Sequence, residues 1–128
     1  MEMEIVFPGG ARVDALMGNM VITTDQDGSA PAPFALFLAS IGTCAGIYVL
    51  GFCQHRGLST EGIKIIQRLH FDPQTRMVAE VDLDIVVPPK FPEKYHDALI
   101  RAADQCAVKK HMEIPPRFNE QTKVAAQR

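Results

Sequence analysis

The pattern of hydrophobic and polar residues changes at one long segment that carries no charged side chain. This segment covers residues 28–54, and its apolar residues fall on every side of a helix. Such a pattern is typical of a helix that is buried on all sides. Pro33 suits the first helical turn, where its missing N–H group costs nothing, and Gly57 suits the residue after the last turn. We therefore predict a helix from Pro33 to about Arg56.

Alternation of apolar and polar residues with period two predicts five strands. They cover residues 4–7, 12–17, 20–24, 62–71 and 76–87. Gly18-Asn19 is a two-residue hairpin signal between the second and third strands, and residues 72–75 supply the turn between the fourth and fifth. Both turns indicate antiparallel pairing.

A second helix is predicted to start at Pro92 and to include Cys106. Its apolar stripe recurs at helical spacing and consists of Tyr95, Ala98, Leu99, Ala102 and Cys106. Residues 107–112 add one more turn, and the polar tail 117–128 is expected to form a last edge strand. The order of these elements in 128 residues predicts one α+β domain that spans residues 1–128.

The charge balance limits the partners that this chain can bind. A net charge of −2 and a pI near 6.0 argue against nucleic acid and against an anionic membrane surface. The uncharged segment exceeds the roughly 20 residues that cross a bilayer, but Pro31, Ser40 and Thr43 lie inside it and strands flank it. The acidic start Met-Glu-Met-Glu-Ile is unlike a signal peptide. We therefore expect a cytoplasmic protein.

The apolar helix also predicts a homodimer. A chain of 128 residues has only one other substantial helix and two hairpins with which to cover it. Sharing the helix between two subunits removes apolar surface from water. Gly42 and Gly46, four residues apart on one face, permit the close approach of another helix or of a backbone segment.

The three cysteines admit two interpretations, buried hydrophobic residues or a redox pair. Cys44 and Cys53 point to opposite sides of the first helix, about 180° apart, so they cannot pair. If the two helices pack together, Cys44 and Cys106 are the pair that can meet, and Cys53 belongs to the core. The spacing is unlike that of a zinc site, and we expect no metal and no cofactor. A weaker alternative is a metal site that uses cysteine and His111.

A reactive Cys44 requires a lowered pKa and a substrate surface. Cys44 lies about three turns into its helix, too far for the N-terminal dipole of that helix to act strongly. We therefore expect a basic side chain, with Arg12, Arg56 and Lys109 as candidates. An apolar wall on the same side of the helix would favour alkyl substrates, although such residues also suit a plain core. The wall consists of Phe34, Phe37, Ile41 and Tyr48.

Two segments of the chain resemble the osmotically inducible protein C (OsmC) family. The first is residues 30–44, with Ala30-Pro31-Ala32-Pro33 and Gly42-Thr43-Cys44, and the second is residues 102–110 around Cys106. That family includes the organic hydroperoxide resistance proteins. The resemblance implies an α+β fold whose antiparallel sheets wrap around two long central helices in an intertwined homodimer. It also implies thiol peroxidase activity on organic hydroperoxides, in which Cys44 attacks, Cys106 resolves the sulfenic acid, Arg12 activates, and a dithiol restores the thiols.

One departure from the family pattern concerns the start of the first helix. Active peroxidases carry a glutamate soon after the helix-starting proline, where it orients the arginine. The matching stretch here is Pro33-Phe34-Ala35, which has no acid. Glu61, Asp25 or Asp27 are the candidate substitutes. The chain is therefore closer to the less characterised OsmC-like branch. The alternative function is a non-catalytic dimer that binds a small apolar or thiol-containing ligand.

Overall fold

The computed structural model of the chain describes residues 1–126. The strands are β1 (Glu4–Gly9), β2 (Arg12–Met17), β3 (Met20–Asp25), β4 (Lys64–Phe71) and β5 (Val78–Val86). The helices are α1 (Pro33–His55), α2 (His96–Ala103) and α3 (Ala107–Glu113), and a 3-10 turn (Glu93–Tyr95) precedes α2. This order confirms the predicted α+β class, and the predicted strands agree with the observed ones to within two residues at each end.

Helix α1 begins and ends where the sequence predicts. Ala32 has extended backbone and Pro33 occupies the first turn, while Gly57, with φ of 63°, follows the last turn. Only 28% of the most apolar 18-residue window of α1 is buried. By length and composition alone α1 would also pass for a membrane span. The remaining apolar side of this helix faces solvent in the single chain.

Among residues 1–126 the strands form two antiparallel sheets. In the first sheet β2 lies between β1 and β3, with Arg12 opposite Asp25, and in the second β4 pairs with β5. Strand β4 packs against α1, and a core forms between α1, α2 and the β4–β5 hairpin. The buried members of this core are Ala45, Val49, Phe52, Cys53, Phe91, Leu99 and Ala103.

The β1–β3 sheet lies apart from this core. No extensive contact joins it to the helices among residues 1–126. Apolar side chains on its strands are accordingly exposed, and Phe7 retains 81% of its accessible surface. The sheet thus presents apolar surface for which the single chain has no cover.

The close approach at Gly42 is to the chain's own strand β4. A Cβ atom at Gly42 would lie 2.5 Å from Oε1 of Gln67, and Nε2 of Gln67 donates a hydrogen bond of 2.9 Å to the carbonyl oxygen of Leu38. Near Gly46 the corresponding neighbour is Ile65, also on β4. These glycines therefore serve helix-to-strand packing within one protomer.

The predicted second helix is interrupted before Cys106, so the prediction of one continuous helix is wrong. Helix α2 ends at Ala103, and Cys106 has extended backbone with φ of −49° and ψ of 122°. Its sulfur accepts a hydrogen bond from the backbone N–H of Lys109, so Cys106 is the N-cap of α3. This cap satisfies a donor that a new helix start leaves free. The predicted burial of Cys106 is confirmed, since 3% of its surface is exposed.

The predicted edge strand in the tail is also absent from residues 114–126. Residues 127 and 128 lie outside the described range. Phe118 and Val124 are exposed in this segment. Because a strand without a pairing partner leaves its backbone groups unbonded, the tail keeps an irregular course in the single chain.

Candidate active site

Cys44 and Cys106 lie side by side where α1 meets the start of α3. Cys44 is half-buried in the middle of α1, and Cys106 is buried as the N-cap of α3. Both thiols are free. The sulfur of Cys106 lies 3.8 Å from the carbonyl oxygen of Ile41, three residues before Cys44, and the Cys106 thiol is one of the groups that lower the pKa of Cys44. The structure therefore brings together the two cysteines that the sequence pairs.

The hydrogen bonds of Cys106 tie it to both helices. Its Sγ atom lies 3.8 Å from the carbonyl oxygen of Ile41 and 3.5 Å from the backbone nitrogen of Lys109. The nitrogen donates to the sulfur, whereas the thiol donates to the carbonyl. A thiol has one hydrogen, so Cys106 donates either to Ile41 or to Cys44 at a given moment.

The surroundings of Cys44 favour its thiolate form. Hydrogen bonding by the backbone N–H of Val108 is the largest cause that lowers the pKa of the Cys44 thiol. The Cys106 thiol and the N–H of Ala107 lower this pKa further, while burial acts in the opposite direction. Donors directed at a sulfur stabilise its negative charge and so lower the pKa.

Side-chain patterns in the sequence do not indicate these backbone donors. As predicted, Cys44 lies too deep in α1 for the start of its own helix to act, but the groups that lower its pKa do not include the predicted basic side chain. The start of a different helix, α3, supplies the donors instead. The helix break at Cys106 exposes these N–H groups. The sequence does not reveal this break, because cysteine is an uncommon N-cap and the helical spacing of apolar residues continues through Cys106.

Arg12, the preferred activating residue, lies in the β1–β3 sheet and binds an acid there. Its Nη2 atom is 2.6 Å from Oδ2 of Asp14, whose side chain is 6% exposed. The other carboxylate oxygen of Asp14 is buried and has no hydrogen-bond partner among residues 1–126. Asp25 lies opposite Arg12, and the hydroxyl of Ser29 is the largest cause that lowers the pKa of Asp25, with a smaller contribution from Arg12.

Asp14 is thus the acid that holds Arg12, in place of the three substitutes that the sequence suggested. Asp25 contributes only at longer range. Within one protomer Arg12 is not among the groups that shift the pKa of Cys44. The other two candidate cations are occupied elsewhere: Lys109 pairs with Asp104, and the guanidinium carbon of Arg56 lies 3.7 Å from the ring centroid of Phe52.

An apolar cavity of about 450 Å³ opens between α1, the start of β5 and α3. Phe34, Phe37 and Ile41 of α1 line it, together with residues 76–81 and Met112 of α3. Ile41 precedes Cys44 by three residues on α1, and its carbonyl contacts Cys106. Three of the four predicted wall residues therefore share one cavity, and one of them, Ile41, contacts Cys106 through its carbonyl oxygen.

Tyr48 does not line this apolar cavity. It lies in a separate groove of about 610 Å³ between α1 and α2, beside His55, Arg101 and Gln105. The prediction of a four-residue wall is wrong at this position. Tyr48 shares a side of α1 with Ile41, but it lies seven residues, roughly 10 Å, further along the helix axis, where α2 packs. Met112 and Arg76 are cavity residues that the sequence did not indicate.

Cys53 belongs to the core, as predicted. It is fully buried, and burial raises the pKa of its thiol against a smaller opposite effect of Arg56. In the described part of the chain, residues 1–126, no group of three or more His, Cys, Asp or Glu side chains is arranged to hold a metal ion.

Comparison with protein families and solved structures gives a consistent result. A family model described as OsmC-like protein matches residues 26–121. Three solved structures share the fold over most of both chains. A protein from Psychrobacter arcticus 273-4 is 22% identical with a TM-score of 0.70, and the match covers 84% of this chain and 85% of that one. A protein from Aquifex aeolicus VF5 is 22% identical with a TM-score of 0.69, and the match covers 89% of this chain and 87% of that one. An OsmC like protein from Mycoplasma pneumoniae is 12% identical with a TM-score of 0.68, and the match covers 88% of this chain and 86% of that one. No curated protein matches the chain.

Proposed function

Since the chain belongs to the OsmC-like family, whose members are soluble and commonly dimeric, we propose that it is a thiol peroxidase that reduces organic hydroperoxides through Cys44 and Cys106. The observation that carries the proposal is the environment of Cys44. Hydrogen bonding by Val108, Cys106 and Ala107 lowers the pKa of its thiol, and the sulfur of Cys106 contacts the carbonyl oxygen of Ile41, three residues before Cys44. A structural cysteine needs neither feature.

The proposed reaction has two steps in the protein. The Cys44 thiolate attacks the O–O bond of a hydroperoxide ROOH, forms the sulfenic acid, and releases the alcohol ROH once a proton is taken up. The Cys106 thiol then forms an S–S bond with Cys44, and the sulfenic oxygen leaves as water. A dithiol reduces this disulfide by two electrons and is itself oxidised to a disulfide.

The apolar cavity supports organic rather than inorganic peroxide as substrate. Its volume of about 450 Å³ lies within the range of small-molecule sites, and its walls are mostly carbon. The rings of Phe34 and Phe37 stack with centroids 5.8 Å apart and form one side of it. An alkyl or aryl group that leaves water for this cavity gains burial, whereas hydrogen peroxide has no apolar part to bury.

The proposed state of the protein is a cytoplasmic homodimer. The uncovered side of α1 and the apolar residues of the β1–β3 sheet are surfaces that a second copy would cover. In such a dimer the sheet of one protomer can lie over α1 of the other, and Arg12 can then approach Cys44 across the interface. Asp14 would hold the arginine in that position.

A peroxidase assay tests the proposal. The purified protein, supplied with dithiothreitol and cumene hydroperoxide, is expected to consume the peroxide, and Cys44→Ser to lose this activity. Cys53→Ser is the matched control, because it also removes one thiol from α1 but is expected to retain activity. Equal rates for the wild type and Cys44→Ser would refute the proposal.

The second candidate function is a binding protein without turnover. It is favoured by the absence of an acid in Pro33-Phe34-Ala35 and by the distance of Arg12 from the cysteines within one protomer. The apolar cavity would then hold a small apolar or thiol-containing ligand beside Cys44. A free-thiol count that is unchanged after one equivalent of cumene hydroperoxide would support this function over the peroxidase.

A further inference from the structure

The groove between α1 and α2 differs in chemistry from the apolar cavity. Its volume is about 610 Å³, and about half of its lining is polar. The polar groups are the side chains of Tyr48, His55, Arg56, Arg101 and Gln105. Two guanidinium groups therefore share one groove in a protein whose net charge is negative.

Neither arginine of the groove makes an ion pair within residues 1–126. The ion pairs among residues 1–126 use Arg12, Arg68, His70 and Lys109, and none uses Arg56 or Arg101. Asp97, one helical turn before Arg101 on α2, makes no ion pair with it. Arg101 thus keeps its guanidinium donors available for an anion, and Arg56 keeps all but the one that Nη1 gives to the carbonyl oxygen of Phe52.

Arg56 is held in place although it carries no counterion. Its guanidinium carbon lies 3.7 Å from the centroid of the Phe52 ring and 5.8 Å from that of Tyr95. Its Nη1 atom is 3.4 Å from the carbonyl oxygen of Phe52. A guanidinium that is already positioned loses less conformational entropy when a carboxylate binds.

The groove adjoins the redox pair on the side away from the apolar cavity. Tyr48 lies one helical turn after Cys44 on α1, and Gln105 directly precedes Cys106. The two cysteines therefore lie between an apolar cavity and a basic groove. Peroxide reduction requires two different small molecules at these sulfurs, one that oxidises them and one that reduces them.

We propose that the basic groove is a binding site for carboxylate-bearing small thiols that reduce the Cys44–Cys106 disulfide. This assignment rests on the proposed function. The thiolate of the bound reductant attacks the disulfide, forms a mixed disulfide with one cysteine and releases the other as thiolate. A second thiol then attacks the mixed disulfide, so that two thiols are oxidised to one disulfide and both cysteines are restored, with their protons taken from the two reductant thiols.

The experiment uses the full chain in its native oligomeric state. The disulfide is formed with diamide rather than with peroxide, so that the assay does not depend on peroxidase activity. The rates at which mercaptosuccinate and the uncharged 3-mercapto-1,2-propanediol restore the thiols are then measured. The ratio of the mercaptosuccinate rate to the mercaptopropanediol rate is expected to be about fivefold lower in Arg101→Gln than in the wild type. In Arg101→Lys this ratio is expected to return toward the wild-type value. Lys90→Gln removes the same charge outside the groove and is expected to leave the ratio unchanged.

A second measurement tests binding without any redox step. Succinate is titrated into the reduced protein while the imidazole signals of His55 are followed by NMR. We expect saturable shifts in the wild type and in Lys90→Gln, and their loss in Arg101→Gln. Any of three results would overturn the assignment. They are the absence of saturable binding, a rate ratio that is equal in the wild type and Arg101→Gln, and failure of diamide to join the two cysteines. If the protein lacks peroxidase activity but shows both effects, the groove assignment stands and the proposed function fails.

Discussion

Cys106 donates a hydrogen bond to the main-chain carbonyl of Ile41, with 3.8 Å between the two atoms. This contact fastens the N-cap of α3 to α1 three residues before Cys44. As a result, the N–H groups of Ala107 and Val108 are directed at the Cys44 sulfur. The position of Cys106 therefore determines the electrostatics of the other cysteine, in addition to the resolving role proposed for it.

We predict that Cys106 lowers the pKa of Cys44 measurably. Its thiol stabilises the thiolate, so Cys106→Ala removes a donor and should raise the Cys44 pKa, whereas Cys106→Ser keeps a donor and should change it less. The measurement is the pH dependence of iodoacetamide alkylation in the Cys53→Ser background. The alkylation profile of the alanine variant should lie at higher pH than that of the parent. Coincident profiles would show that this hydrogen bond is absent in solution.

Mild oxidation should join Cys44 to Cys106 and leave Cys53 reduced. The first two sulfurs are neighbours at the start of α3, whereas Cys53 is fully buried and lies about 180° around α1 from Cys44. Peptide mapping after one equivalent of cumene hydroperoxide identifies the link. A Cys44–Cys53 link, or over-oxidised Cys44 beside reduced Cys106, would contradict the role assigned to Cys106.

The protein should be a stable homodimer at micromolar concentration. Light scattering is expected to give about twice the chain mass of 14.1 kDa, because burial of the uncovered side of α1 favours association. Phe7→Glu should weaken the dimer, since Phe7 is 81% exposed on the β1–β3 sheet, which a second copy would cover. Ile100→Glu is the control, because Ile100 is 59% exposed but lies on α2. A wild-type mass near one chain would refute the prediction.

Phe37→Ala should impair the reduction of bulky hydroperoxides selectively. The ring forms one wall of the apolar cavity, and the loss of part of its contact area should raise KM for cumene hydroperoxide by about fivefold to tenfold. The rate with hydrogen peroxide should remain nearly unchanged, since that substrate has no apolar group. Phe71→Ala, which removes the same ring at an exposed position outside the cavity, serves as control. Equal effects on both peroxides would argue against this cavity as the substrate site.

Two glycines of α1 should respond differently to replacement by alanine. Gly51→Ala meets no atom within 4 Å and should stabilise the protein by about 0.5–1 kcal/mol, the usual gain in a helix interior. Gly42→Ala brings Cβ within 2.5 Å of Oε1 of Gln67 and displaces an amide that bonds to Leu38. It should be about 1 kcal/mol less stable than Gly51→Ala. Urea unfolding at equal protein concentration measures both, and equal stabilities would show that Gln67 moves without cost.

Local patterns in the sequence determined most of the secondary structure. Pro33 and Gly57 mark the ends of α1, and Gly18-Asn19 joins β2 to β3, because helix ends and tight turns depend on the backbone preferences of a few adjacent residues. The opposite directions of Cys44 and Cys53 follow from helical geometry alone. Such features need no knowledge of distant parts of the chain.

Only the tertiary structure decided how the site is built. The groups that act on Cys44 are backbone N–H groups of Val108 and Ala107, and every non-proline residue carries such a group. No side-chain pattern therefore distinguishes them until α3 packs beside α1. The break at Cys106 arises from competition between local hydrogen bonds. The groove that contains Tyr48 arises from contacts between elements that are distant in sequence, and the partner of Arg12 is chosen once the sheet has formed. Hydrophobic periodicity records none of these effects.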